Sequence, residues 1–577
     1  MLQTEFLPHL RVRGELGKRL ELTARQFTSR EVYSAELITQ DLVLHPDRRR
    51  TADDYSGDLS GRYLEAVALA AQLGFAPDWD LLRDVIDVLL PAQRADGSFG
   101  AADAALGGFD HGVVWGNAFL LTGLMELAEL LDDPACPLGA HSAAVRAATA
   151  RLAESLVLSV PRWLRWFTYS REREHKFALD FFAMLPPLTR WAEHTGDPRA
   201  VQAAQSLAAA VPPPDGPWHL HGYLTALRGK LGVAERFGAD PAAAQEVLDA
   251  WNLVRQRYVL AHGGVRESMR QPMDLNTEGC GIADWIMLSI DLGRHFRDDE
   301  LFDAAEIALH NALPHVQAPN GHFGCETLAA DPGLLTEDYV PEAWWCCTFH
   351  GFRAMYHVAA NAVRLERDAG GDRLRVDLPV PVATRIATSA GTATVEVTTD
   401  YPDREFELAV RSDPGLPWSV RASRFWSAGA AEVSRGSVRP GGSERIVGRA
   451  LTWIDADGVP VHSLQLNNTD EHATWLGHGV CVFVGPVIQV LAAPHTGAGN
   501  VVAARTLHVA PDGQRIQHVA ADGLAHLTGL VREFRAPWST LRDHTWQPVA
   551  ADDAVVRFRF AALDVTPFTP ARPADHD

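Results

Sequence analysis

Two short stretches of this chain hold residues able to do chemistry together: Thr277-Glu278-Gly279-Cys280 and Trp344-Trp345-Cys346-Cys347. Three thiolates and one carboxylate form a four-donor set suited to tetrahedral zinc, because zinc accepts sulfur and oxygen ligands in a closed shell of four. The spacing departs from the usual C-x2-C clip, since two of the cysteines are neighbours. Adjacent cysteines cannot bridge each other without strain, so Cys346 and Cys347 read as thiols. A plainer reading stands beside this one: cysteines next to tryptophans often serve as small buried hydrophobes. Just upstream, Gly263-Gly264-Val265-Arg266-Glu267 sets a carboxylate beside a double glycine. That pattern fits an acid facing a cleft, and equally an acid on a surface loop.

Other familiar constellations are missing. The sequence holds no G-x-S-x-G elbow, no H-E-x-x-H pair and no G-x-x-x-x-G-K-S/T loop. The commonest serine hydrolase, metalloprotease and nucleotide-hydrolase readings are thereby excluded. Six cysteines in 577 residues are too sparse for a disulfide scaffold. The formal net charge of -21 is spread along the chain and repels phosphate backbones and anionic membranes, so no nucleic-acid partner is expected. Lysine occurs only at Lys18, Lys176 and Lys230, which leaves few candidates for Schiff-base chemistry. No apolar run approaches the roughly 18–20 residues of a membrane span, and the first ten residues lack a signal peptide's basic and apolar regions. A cytoplasmic protein with no membrane partner is the expectation.

The elements that must position these residues fall into two textures. From about residue 10 to 365, apolar residues recur at three- and four-residue intervals in a succession of segments. These are 61–73, 81–90, 114–131, 143–158, 177–194, 200–210, 223–237, 241–258, 282–296, 301–313 and 352–363. Turn signals separate them at 95–97, 196–198 and 238–241. Alanine and glycine at many contact positions permit close helix approach. Roughly a dozen helices in consecutive pairs predict an (α/α)6 toroid, with an open α-solenoid as the alternative; no 34- or 40-residue repeat supports the solenoid. After about residue 366 the period changes to two, in Leu374-Arg-Val-Asp-Leu, Ala393-Thr-Val-Glu-Val, Phe406-Glu-Leu-Ala-Val, Val461-His-Ser-Leu-Gln-Leu and Val555-Val-Arg-Phe-Arg-Phe. This predicts antiparallel sheets in one or two sandwiches. The division is therefore 1–365 for the helical barrel and 366–577 for the β-sandwich region, with a frayed tail from about Thr569.

Taken together, the motifs resemble those of glycoside hydrolase family 127, the retaining β-L-arabinofuranosidases and their relatives. Glu278-x-Cys280 followed some 65 residues later by Cys346-Cys347 is similar to that family's zinc tetrad, and Gly263-Gly264 with Glu267 is similar to its acid/base segment. Ala304-Ala-Glu-Ile-Ala-Leu-His-Asn resembles an E-R-A-L-Y-N helix. Further likeness lies at Gly61-Arg-Tyr-Leu, at His175, at His221, at Thr399-Asp-Tyr-Pro402 and at Val484-Gly-Pro-Val487. Three departures stand out: Trp115-Gly-Asn117 where W-x-H is usual, no arginine at its offset after His221, and a short interval between Glu267 and Glu278.

The resemblance implies a cytoplasmic glycosidase whose catalytic domain is the toroid. It implies Zn2+ held by Glu278, Cys280, Cys346 and Cys347, with Cys346 as nucleophile and Glu267 as acid/base. Metal binding removes the thiol proton, which otherwise stays on near neutrality. His175, His221, Glu306 and Asn117 become candidates for contacting sugar hydroxyls, and Trp344 and Trp345 for an apolar platform. Cys325, in His322-Phe-Gly-Cys-Glu326, reads as structural burial. Competing readings are a sugar epimerase or lyase on the same toroid, and a catalytically silent carbohydrate-binding protein with structural zinc. The sheet region is capable of supporting a homodimer, though nothing in the sequence requires one.

Overall fold

The computed structural model describes residues 10–428, leaving out 31, 43–54, 101–110, 239–240, 261–262, 270–275, 319, 328–336, 341, 369 and 404, then 445–450 and short strands beyond. The helical periodicity forms helices where it predicts them, except that 177–194 becomes α-helix only from Leu185, after the 3-10 turn Asp180–Met184, and that Gly14–Phe27 adds a helix ahead of the expected ones. The helices are α1 (Gly14–Phe27), α2 (Asp58–Gln72), α3 (Trp79–Ala92), α4 (His111–Leu131), α5 (Ser142–Tyr169) and α6 (Leu185–Thr195). There follow α7 (Pro198–Ala210), α8 (Leu220–Arg236), α9 (Pro241–Tyr258), α10 (Gly279–Phe296), α11 (Asp299–Ile307) and α12 (Cys347–Ala360). The boundaries are set by ordinary capping chemistry. Gly196 ends α6 in the left-handed conformation (φ 66°) and Asp197 accepts a hydrogen bond from Arg199 N at 2.9 Å to open α7, with Pro198 first in the helix. Asp78 and Asp298 cap α3 and α11 in the same way.

The even-numbered helices close a ring. Helix α2 packs on α4, α4 on the 3-10 turn Asp180–Met184 that leads into α6, α6 on α8, α8 on α10, α10 on α12, and α12 back on α2. The odd-numbered helices lie outside, with α5 on α4, α7 on α6, α9 on α8, α11 on α10, and α1 against both α2 and α12. An open solenoid has two free ends, whereas here the last inner helix rests on the first. The architecture is an (α/α)6 toroid.

Ring closure demands inner helices that are apolar on most sides. Helix α4 is long and apolar enough to cross a membrane, but 89% of its apolar window is buried inside the ring. It approaches α2 so closely that a Cβ on Gly123 would lie 2.1 Å from Gly61 O, and one on Gly61 2.3 Å from Leu120 N. Only glycine fits at that crossing. Elsewhere flat aromatic pairs fill the space between layers, as where Trp251 of α9 stacks on Trp285 of α10 at 4.7 Å.

The period-two segments form sheets. A six-stranded antiparallel sheet has the order β1 (Leu10–Val12), β7 (Val382–Thr388), β8 (Gly391–Thr399), β9 (Glu405–Asp413), β12 (Arg445–Ala450), β11 (Trp426–Ala428). Ala393, Val395 and Val397 of β8, with Phe406, Leu408 and Val410 of β9, turn inward as the alternation requires. A second sheet joins β5 (Val363–Asp368), β6 (Gly371–Val376) and β10 (Trp418–Val420), the last running parallel to β6. The segments Val461–Leu466 and most of Val555–Phe560, with the tail from Thr569, lie outside the described residues. Helix α12 ends at Ala360 and β5 starts at Val363, a little before the expected boundary. The sheet also takes in the first strand of the chain, since Leu10 pairs with Thr384 and Val12 with Val382.

Toroid and sheet meet through a buried charge cluster. Arg421 places Nη2 2.6 Å from Glu306 Oε1, Nη1 2.6 Å from Asp303 Oδ1 and Nε 2.6 Å from Asp377 O. The Tyr401 hydroxyl donates to Glu306 Oε2 at 2.7 Å. Asn311 of the E-I-A-L-H-N stretch donates to Pro486 O across the same seam.

Candidate metal centre and active site

The site gathers at the N-terminal ends of inner helices. Cys280 is the second residue of α10, Cys346 is the N-cap of α12 and Cys347 its first residue. Strand β2 (Asn276–Glu278) runs directly into α10 and pairs with β3 (Cys325–Thr327), which also pairs with β4 (Glu337–Val340); the register sets Glu278 opposite Cys325. Gly279 allows the turn from strand to helix, for a Cβ there would come within 2.8 Å of Gly324 O and 3.2 Å of Cys347 Cβ. Helix N-termini favour negative charge, and two of them converge on these sulfurs.

The sulfur distances are short and even. Cys280 Sγ lies 3.5 Å from Cys347 Sγ, Cys325 Sγ 3.6 Å and Cys346 Sγ 3.7 Å. Two triads share Cys347: Cys280, Cys346 and Cys347 in one, and Glu278, Cys325 and Cys347 in the other, with the donor atoms of each within 4.8 Å of one another. Thiols of Cys280, Cys325 and Cys346 hydrogen-bond to Cys347 and hold it well below the ordinary thiol range, while burial pushes Cys280 up. Cys346 alone of the four is partly exposed.

The sulfurs fit a metal. Zinc–sulfur bonds of about 2.3 Å set tetrahedral sulfurs about 3.8 Å apart. The three sulfur separations from Cys347 all lie just below that edge. The Glu278 carboxylate completes the set expected from sequence.

Around the cluster the floor is charged and buried. His219 Nε2 lies 2.7 Å from Glu278 Oε2; burial opposes a charged imidazole, but Glu278 outweighs it and raises the His219 pKa. Behind the cysteines, Arg62 donates Nε to Asp58 at 2.8 Å, a carboxylate that also accepts from Trp115 Nε1 at 3.0 Å. Burial disfavours the Arg62 charge, and Asp58 with Cys280 and Cys346 overrides it. Asp284 receives His221 Nδ1 at 2.6 Å, Thr225 Oγ1 at 2.8 Å and His350 Nε2 at 3.1 Å. Burial alone would raise its pKa; His350 and His221 hold it well below the usual range.

The residues named from sequence take up different places. Glu278, Cys280, Cys346 and Cys347 come together. Glu267 is half-buried, with Oε1 2.6 Å from Lys176 Nζ and its carbonyl accepting from Leu220 N at 2.8 Å. His221 is buried beneath the cluster in the Asp284 network. His175 is exposed, its ring 5.7 Å from that of Phe177, which in turn meets His219 at 5.5 Å. Glu306 lies in the toroid–sheet seam. Asn117 is fully buried and its amide is spent on backbone: Nδ2 donates to Ser56 O, Phe99 O and Val113 O, and Oδ1 accepts from Phe99 N. Trp344 and Trp345 meet edge to face at 5.3 Å, both partly exposed.

Sequence reasoning passed over four participants. Cys325, expected to be structurally buried, is buried, and its sulfur also lies 3.6 Å from that of Cys347. His219 rather than His221 touches Glu278; two histidines two residues apart point to different sides of a helix start, and the sequence does not say which. Lys176, one of three lysines in the chain, meets Glu267. Arg62 lies under the cysteines, and the signal for it was its place in the Gly61-Arg-Tyr-Leu segment.

No family model and no curated protein sequence matches the chain. Solved structures do. A GH127 β-L-arabinofuranosidase from Geobacillus stearothermophilus T6 aligns over 84% of this chain and 86% of its own, with a TM-score of 0.59 and 14% identity. A second GH127 β-arabinofuranosidase covers 84% of each chain with a TM-score of 0.60 and 13% identity. A third structure, described as a glycoside hydrolase, covers 98% of this chain and 91% of its own at a TM-score of 0.57 and 12% identity. The chain therefore has the fold of GH127 glycoside hydrolases, a toroid followed by antiparallel sheet.

Proposed function

We propose that this protein is a retaining glycosidase for a terminal furanoside, β-L-arabinofuranoside being the substrate that the likeness favours. The observation that carries the reading is the convergence of Glu278, Cys280, Cys346 and Cys347, from two distant stretches, at the N-terminal ends of two inner helices, with neighbouring sulfurs 3.5 and 3.7 Å apart. Glu278, Cys280, Cys346 and Cys347 would hold zinc. When bound, the ion supplies deprotonation of the thiols and a sink for sulfur's charge. Cys346, the partly exposed sulfur, attacks the anomeric carbon and forms a thioglycoside as the glycosidic C–O bond breaks. Glu267 protonates the departing oxygen and later takes the proton of the attacking water, which restores the Cys346 thiolate. Lys176 fixes the Glu267 carboxylate, and His219 fixes Glu278.

A second reading has one feature in its favour. Four or more protein donors around an ion leave no open position, which is the structural pattern for zinc. One experiment separates the two: a screen of aryl furanosides and pyranosides against the zinc-loaded chain, with alkylation of Cys346 followed with and without sugar. Turnover with retention at the anomeric carbon and sugar protection of Cys346 supports the glycosidase. Stoichiometric zinc, no turnover on any glycoside and no sugar protection supports the structural site.

A further inference from the structure

We infer that Tyr55 and Asp180 form a hydroxyl-binding pair for the sugar, with the Tyr55 phenol touching the substrate and Asp180 acting through it as a positioning residue. The inference rests on the glycosidase reading above and supplies contacts which that reading lacks. Of the four residues put forward from sequence for sugar hydroxyls, Asn117 is spent on backbone, Glu306 lies in the seam and His221 serves Asp284.

Asp180 is a buried carboxyl whose hydrogen bonding is incomplete. It is 1% exposed, and among the described residues the carboxyl's one hydrogen-bond partner is the Tyr55 hydroxyl, 3.5 Å from Oδ2. Buried carboxyls nearby are fully engaged. Asp41 accepts from Gly57 N, Leu59 N and Ser60 Oγ, and Asp58 from Arg62 and Trp115. A carboxyl taken out of water with so little in return costs free energy, so its position beside a candidate active site calls for a partner from outside the chain. Burial also pushes its pKa up to about 8, against the influence of His219.

The backbone sets the pair next to the residues of the proposed reaction. Asp58 N donates to Tyr55 O at 3.1 Å, and Gly57 (φ 95°) turns the chain from there into α2. The partly exposed Tyr55 ring meets Trp115 edge to face at 6.5 Å, and the Trp115 ring lies 6.4 Å from that of His219, the partner of Glu278. Asp180 follows Lys176, the partner of Glu267, by four residues. A Cβ on Gly222 of α8, three residues after His219, would stand 3.9 Å from Asp180 Oδ1.

A phenol has one hydrogen to donate and lone pairs with which to accept. Donating to Asp180, Tyr55 leaves its oxygen to accept from a sugar hydroxyl. The bond of 3.5 Å stands at the limit for such contacts, and a hydroxyl that polarises the phenol strengthens it. The relay runs from sugar hydroxyl to Tyr55 to Asp180.

Calorimetric binding of methyl β-L-arabinofuranoside and its monodeoxy analogues to the full-length, zinc-loaded Cys346→Ser chain tests the pair. One deoxy analogue should bind about tenfold more weakly than the parent sugar, and adding Tyr55→Phe should weaken the parent by a similar factor while leaving that analogue unchanged. Asp180→Ala should match Tyr55→Phe, with the double variant no worse than either. Asp180→Asn, which keeps an acceptor, should bind within about threefold of the starting chain. Equal losses in Tyr55→Phe on the parent sugar and on every deoxy analogue would mark a structural role and overturn the inference. No loss at all, or no sugar binding before Tyr55 is changed, would overturn it too, and neither result depends on an Asp180 variant folding. Turnover by the wild type is read separately. A chain that binds the sugar through Tyr55 but hydrolyses no aryl glycoside would overturn the glycosidase reading and uphold the pair.

Discussion

Two buried polar clusters invite comparison, the cysteine end of the ring and the seam between toroid and sheet. At the seam, Arg421 faces Glu306 and Asp303, Tyr401 closes the remaining oxygen of Glu306, and backbone carbonyls take the spare guanidinium hydrogens. Charges and hydrogen bonds are matched inside the protein. At the cysteine end, five potential anions gather near Arg62 and His219, and three of them are sulfurs grouped around a fourth, that of Cys347. Such a cluster is short of positive charge unless a cation joins it. The lesson is that burial and ionisable groups do not by themselves mark a working site. What distinguishes it is an imbalance that the chain leaves for a ligand to settle.

That contrast breaks most readily at Cys346. Replacing it by serine should lower turnover by about four orders of magnitude or more, as loss of a nucleophile does elsewhere. The melting temperature should move little, and calorimetry beside a glycosidase assay checks both. Activity near the wild-type level would remove Cys346 from the reaction. At the seam the reverse is expected. Arg421→Met strips the partner from two buried carboxylates and should cost about 3–5 kcal/mol of stability, read by denaturant unfolding, while leaving zinc stoichiometry untouched. A metal-binding defect in the folded variant would mean the two clusters are coupled.

Glu267→Gln sharpens the reading of the site. It should slow alkyl glycosides by about 10²–10⁴-fold, yet slow activated aryl glycosides far less, because a good leaving group needs no proton. Equal losses on both substrate types would contradict an acid role. His219→Ala frees Glu278 from its partner, and a loss of about 10–100-fold in metal affinity or activity is typical for such supporting residues. Competition with a chromogenic chelator measures the affinity, with exposed His175→Ala as the control expected to leave metal binding unchanged.

The smallest effect concerns pH. Burial pushes Asp180, beside Tyr55 and first in the 3-10 turn that leads into α6, up to about 8, against the influence of His219. Its folded pKa is therefore above the unfolded value of about 3.9. The folded state binds the extra proton, so this stabilisation is complete below the unfolded pKa and is lost as pH rises through about 8. Melting curves of wild type and Asp180→Asn between pH 5 and 9 should show the wild type losing stability relative to the variant. Parallel curves would show that Asp180 does not titrate in that window.

Much of the architecture was legible because it is local. The three- and four-residue apolar spacing produced helices such as α8 and α10, and Gly196-Asp-Pro198 produced the turn its residues prescribe. Period two gave β8 and β9 their inward faces. The metal donors were legible by type, since few side chains bind soft metals and three of them fall in two motifs. Residues whose role depends on a third element were not legible. Glu306 sits in a helical segment resembling a site motif, but its partners are Tyr401 and Arg421, more than ninety residues on. Asn117 offered an amide for sugar hydroxyls, and its own helix at Val113 with two neighbouring segments at Ser56 and Phe99 takes that amide on three carbonyls.

By itself the sequence determined the two textures, the donor types and the polarity that disfavours nucleic-acid partners, because each follows from composition or from a short-range period. The tertiary structure alone decided that α12 returns to α2 and closes the ring. It also decided that β3 delivers a third neighbouring sulfur to Cys347, and that His219 rather than His221 meets Glu278. These outcomes depend on where chain segments dozens to hundreds of residues apart come to rest, and packing geometry, rather than any local preference, fixes that.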